Sequence, residues 1–278
     1  IAALAASTVL VGAAYKREAA QRRLAQENLS EARQAVDNYF SLVSDIPVLD
    51  EPSLAPLRQD LLESTLAYYQ RFLTERDDDD PASLAELAAC YFRVAQVHAM
   101  NGSPEWFAEF DQGLDLVEEL IQHNPNARVM RRLGSPVFRI SRMPIDVHTR
   151  QDRALELYER GADIWARLVE RYPRAESLRF DQAGFYYLIG NLEGVSEAGL
   201  LALRDAREIW EQLAQENPAR DEHRERLAVA LRNEGEVLVD TGWPQEALTA
   251  YRRAIAIGKE LAAGDDSYFS EFSRGNAH

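Results

Sequence analysis

A single cysteine in 278 residues leaves no internal disulfide to staple a fold. Cys90 stands between Ala89 and Tyr91 in a helix-forming stretch, where a thiol acts as a small apolar filler. Metal chemistry has no signature. The five histidines, at 98, 123, 148, 223 and 278, are far apart in the chain, and no H-E-x-x-H occurs. Neither a G-x-x-x-x-G-K-[ST] phosphate loop nor a G-x-S-x-G elbow is present. The four carboxylates Asp77–Asp80 lack the interleaved spacing and glycine of a calcium loop and read as a solvated linker. No cofactor is expected.

Positive charge is also short. With 31 bases against 46 acids, the formal charge is −15, the wrong sign for a surface that must neutralise phosphates, so nucleic acid is not an expected partner. The acidity is accounted for by solubility, or by a basic partner. Carboxylate pairs such as Glu118-Glu119 read as a wet helix face. Long alternating runs of β-branched residues are missing too. What remains is Ala, Leu, Glu, Arg and Gln, a helix-forming composition, and the fold class is all-α.

Residues 1–15 carry no charge and are followed at once by Lys16 and Arg17. At about 1.5 Å per residue they reach roughly 22 Å, short of a hydrocarbon core of about 30 Å. The stretch reads as the final part of a transmembrane helix; a signal peptide and a buried helix are the alternatives. Residues 16–80 form a helical juxtamembrane segment. Its apolar stripe Leu24, Leu29, Ala32, Val36, Tyr39 and Phe40 is followed by a break at Pro47, Pro52 and Pro56 and a second helix over 57–76.

Beyond residue 80 the chain repeats. Prolines recur at 81, 125, 173 and 218, spaced 44, 48 and 45 residues apart. Ile164, Trp165 and Leu168 precede one of them, and Ile209, Trp210 and Leu213 precede the next in the same register; Ile257 and Leu261 continue the pattern. Periods of this length mean stacked helix pairs, here about four units at 82–125, 126–173, 174–218 and 219–264. The second unit is irregular, because Gly134, Pro136 and Pro144 break its first helix. Residues 265–278 are a tail or the start of a further unit. The two tryptophans, mid-helix and in register, read as core.

In the last unit Gly235, Gly242, Ala247, Tyr251 and Ala254 fall at the small, turn and aromatic positions of a helix–turn–helix that resembles the tetratricopeptide repeat. Leu231 and Glu234 depart from it, standing where that repeat has a tryptophan and a leucine. The fold expected is therefore an α-solenoid of tetratricopeptide-like helix pairs after a long juxtamembrane helix. In such an array the first helices line the inner face, which places Arg232, Glu236, Val239 and Asp240 of the last unit there, with Phe92, Gln96, Ala99 and Met100 of the first. A protein or peptide is the expected partner, with self-association beside it and membrane contact through residues 1–15.

The uncharged start, the segment SEARQAVDNYFSLVSDIPVLDEPSLAPLRQDLLESTLAYYQRFLTER and the repeats together resemble the carboxy-terminal part of membrane-bound bacterial serine/threonine protein kinases of the planctomycete type. That resemblance implies a cytoplasmic kinase domain upstream, one membrane span, and a repeat array outside the cytoplasm. The basic border after residue 15 favours the cytoplasmic side instead. No catalytic residue carries over: G-x-G-x-x-G, H-R-D and D-F-G are all absent, and His223-Arg224-Glu225 supplies only two letters of the second. This stretch is accordingly expected to be non-catalytic, a sensor or scaffold region; a free-standing repeat scaffold is the alternative.

Overall fold

The computed structural model describes residues 81–100, 102–123, 127–130, 133 and 151–264, together with Arg17, Glu18, Gln21 and Asp60. The chain divides into two compact units, Ile1–Tyr68 and Tyr69–His278. The four isolated residues lie in the first unit and are helical and exposed. The expected span at 1–15, the remainder of the juxtamembrane segment, and residues 134–150 and 265–278 lie outside the described residues. None of the described helices is long and apolar enough to cross a membrane.

The second unit is all-helical among the described residues. Its helices are α1 (Pro81–Met100), α2 (Trp106–Gln122), α3 (Ala127–Met130), α4 (Gln151–Arg171), α5 (Glu176–Glu193), α6 (Glu197–Glu216), α7 (Asp221–Asp240) and α8 (Pro244–Gly264). Starts and stops follow local chemistry. Proline opens α1 and α8, where its missing N–H costs nothing. The Ser196 hydroxyl caps α6 by accepting from Gly199 N at 2.8 Å. Gly102, Gly194 and Gly242 take φ of 68°, 58° and 86° in the turns that end α1, α5 and α7, a region that side chains disfavour. The turns after α4 and α6 match each other: Ala175 N donates to Tyr172 O, and Arg220 N to Asn217 O, 45 residues later.

Each long helix packs on its neighbours in sequence: α1 on α2, α2 on α4, α4 on α5, α5 on α6, α6 on α7 and α7 on α8. Two apolar clusters result. One joins α1, α2, α4 and one side of α5 through Leu178, Phe185 and Leu188; the other joins the opposite side of α5, through Phe180, Ala183 and Tyr187, to α6, α7 and α8. Trp165 and Trp210 are among the largest fully buried side chains, one in each cluster. Trp165 lies against Phe185 at 5.1 Å and Trp210 against Tyr187 at 5.7 Å between ring centres. Cys90 is buried.

The inward residues of α2, α4, α6 and α8 share one register, offset by 48, 45 and 48 residues. Phe110, Tyr158, Leu203 and Tyr251 correspond, as do Gly113, Gly161, Ala206 and Ala254, and Leu120, Leu168, Leu213 and Leu261. All of these are buried except Tyr251, which is half-buried. Small residues in such rows let a ring from the facing helix come close. A Cβ added at Gly113 would stand 2.6 Å from Phe92 Cε1, and one at Gly235 2.7 Å from Tyr251 Cε1; at Gly161 it would fall inside the ring edge of Phe185.

Alanine at a helical glycine normally stabilises by about 1 kcal/mol. At Gly161 the fully buried Phe185 ring blocks the added methyl, so Gly161→Ala is expected to destabilise by about 1–3 kcal/mol in denaturant titration. Adding Phe185→Leu is expected to recover part of the loss. An increase in stability for Gly161→Ala alone would contradict the packing described.

Candidate functional site

The residues expected on an inner face separate into two groups. On α7, Glu236, Val239 and Asp240 are exposed and Arg232 is half-buried, forming one stripe that solvent reaches. On α1, Phe92, Gln96 and Ala99 are instead buried, so the expectation that they line an open surface is corrected. Phe92 packs against Phe110 at 5.2 Å and Trp165 at 6.3 Å, and its ring fills the space over Gly113. Gln96 accepts from Arg93 Nη1 at 3.3 Å. Met100 is the last residue of α1, and its side chain lies outside the description. The correction has a simple cause: one residue of helical rotation turns a face by about 100°, and α1 buries neighbours that α7 exposes.

The α7 stripe continues onto α5 through side chains that no motif marked. Asn233 Nδ2 donates to Asn191 Oδ1 at 2.7 Å and to the Tyr187 hydroxyl at 3.2 Å, while Arg232 donates to Asn233 Oδ1 at 3.2 Å. Arg232 also approaches Glu236 at 3.7 Å. Burial, then Glu236 and Asp240, raise the Tyr251 hydroxyl above its ordinary range, which places that phenol in their field. The result is an open polar strip with an acidic end and exposed Val239 beside it. Amide, carboxylate and guanidinium groups there suit hydrogen bonding to a chain. They do not form a nucleophile with its base.

Behind the strip lies a buried charge. Glu234, 3% exposed, stands where the resembled repeat has leucine; Arg204 Nε donates to its Oε1 at 3.0 Å and Arg207 Nη1 approaches its Oε2 at 3.2 Å, an oxygen that accepts no hydrogen bond among the described residues. These groups, with Glu246 and Arg253, line a cleft of about 460 Å³ between α6 and α8. Arg204 also meets Glu246 at 3.2 Å, and Arg253 meets Glu211 at 2.5 Å, so each of the cleft's cations already has a carboxylate. Among the described residues no group of histidine, cysteine and carboxylates could hold a metal.

A second ionic row joins α2 to α4. Asp111 receives Arg153 at 2.8 Å and Arg160 at 2.5 Å; Arg160 also reaches Asp115 and Glu118 at 2.6 Å, and Arg167 reaches Glu118 at 2.8 Å. Glu118 is thus engaged by two arginines and does not simply face water. The Arg160 hydrogen bond holds its carboxyl below the ordinary value, with Arg167 acting in the same sense.

No family model matches the chain, and no curated protein matches it.

Because the folded-state value of Glu118 is depressed, the stability it contributes is present above the ordinary carboxylate range and is lost as pH falls through the depressed value. Arg160→Ala is therefore expected to lower stability by about 0.5–1 kcal/mol at pH 7, a small figure because solvent screens the row. At pH 2.5 the loss is expected to shrink. An equal loss at both pH values would show that Arg160 acts through packing alone.

Proposed function

We propose that α1–α8 form a tetratricopeptide-like solenoid that binds a protein or peptide partner along the strip of α5 and α7. It acts as the non-catalytic sensor or scaffold region of a membrane-anchored serine/threonine kinase. One observation carries the array reading: the inward residues of α2, α4, α6 and α8 recur with offsets of 48, 45 and 48, and the glycine turns that close α1 and α7 share one hydrogen-bond pattern, Ser103 N to His98 O and Trp243 N to Leu238 O. Repetition of a unit that cannot bury its own flank is the physical basis of such arrays, and their extended faces take chains or helices from partners. Asn191, Asn233, Arg232, Glu236 and Asp240 supply the polar groups of that face; Val239, half exposed, supplies an apolar contact.

The kinase and the membrane enter through the resemblance of residues 30–76 and the uncharged stretch before them. Partner binding on the array would then change the association of tethered chains, and hence phosphotransfer by a domain upstream. The coding sequence before residue 1 decides this part. A kinase domain with its glycine-rich loop and catalytic aspartates is expected there, and its absence leaves the free-standing scaffold.

A photo-reactive benzophenone side chain placed at Val239 in the native host is expected to yield a discrete protein adduct. The same group at Leu201, also exposed but on α6, is expected not to. No adduct at Val239, or one identical pattern from both positions, would contradict a binding strip on α7.

A further inference from the structure

The outer flanks of α2, α6 and α8 carry charge pairs in the same register as their buried rows, whereas α4 has Glu159 and Ala166 at those places. On α2 the residues directed at α4 are Asp111 and Glu118, seven apart, and both are met by arginines. On α6 the corresponding pair is Arg204 and Glu211, met by Glu246 and Arg253 of α8. On α8 the same two places hold Arg252 and Lys259. Both are exposed, and neither has an ionic partner among the described residues. Beside them stand Leu248 and Ile255, 42% and 48% exposed. Their counterparts on α6 and α4 are half-buried or buried: Leu200 and Leu155, Arg207 and Ala162.

We propose that this flank of α8 docks an acidic amphipathic helix from a partner protein, with carboxylates seven residues apart on Arg252 and Lys259 and an apolar residue over Ile255. The inference rests on the array reading and names the chemistry of one partner. Charge complementarity selects the occupant. In a chain of formal charge −15, Arg252 and Lys259 have no ionic partner among the described residues, on a flank that one step earlier in the register satisfies Arg204 with Glu246 and with the buried Glu234 of α7. An amphipathic helix in an apolar, charge-edged seat is a recurrent mode of recognition.

The probe is a labelled synthetic peptide of residues 106–122, whose Asp111 and Glu118 have the required spacing, added to the intact chain and followed by fluorescence anisotropy. Binding is expected to weaken about tenfold or more between 50 and 300 mM salt. It is expected to be lost in the Arg252→Glu, Lys259→Glu double variant and regained there by the peptide carrying Asp111→Lys and Glu118→Lys. Circular dichroism checks that the variant keeps its helices. Binding indifferent to the charge reversal, or no binding at all, overturns the proposal. Deleting residues 265–278 is expected to leave the affinity unchanged; a tenfold rise would assign the flank to that segment instead. If Glu236→Lys and Asp240→Lys on α7 abolish binding while the α8 variant does not, this inference falls and the array reading stands. Failure of the array reading shows separately, at Val239.

Discussion

The second unit depends on one constraint: no helix in it hides its apolar stripe without the next. α5 makes the point most clearly. Leu178, Phe185 and Leu188 complete the cluster that begins at α1, while Phe180, Ala183 and Tyr187 open the cluster that runs to α8. A helix apolar on two sides is stable only between two neighbours. Burying a large apolar side chain is worth about 1.5–3 kcal/mol, so losing either neighbour would expose several such contributions at once. The close approaches at Gly113, Gly161 and Gly235 follow from this constraint. Rings reach across helix axes only where the facing position is small.

Polar groups are fitted around that packing. Glu234 sits in the core side of α7 because two arginines from α6 meet it, and removing them would leave a charge without water or partner. The rows joining α2 to α4 and α6 to α8 are shallower and contribute less, but they fix which helix lies beside which. On the proposed reading the same principle runs outward. The α5–α7 strip offers hydrogen-bonding groups to a chain, and the far flank of α8 offers exposed cations to an acidic helix.

Much of this was legible before any coordinates. Periodic prolines, the Ile-Trp-x-x-Leu pattern and the contact between Gly235 and Tyr251 come from strong local signals: helix punctuation, ring size and small-residue spacing. The inner face of α1 was misplaced because burial on a helix is decided by the angle at which neighbours approach, and sequence spacing carries that angle only loosely. Phe92 and Gln96 fall on the solvent-reached stripe when counted from the last unit, yet both are buried, Phe92 against Phe110 of α2 and Trp165 of α4. Asn191 and Asn233 went unmarked for another reason. Their meeting joins residues 42 apart through a side-chain geometry that no apolar pattern encodes. The arginine row at 153, 160 and 167 went unmarked as well, because its partners on α2 are assigned only in three dimensions.

Helices that depend only on their neighbours should open in sequence from the ends, with stability rising toward α5. Native-state hydrogen exchange at increasing denaturant tests this directly. The account predicts that α8, and then α7, exchange at lower opening free energy than α4 and α5. Exchange of all these helices in one step at a single free energy would contradict it, because it would mean one closed core and no chain of neighbour contacts.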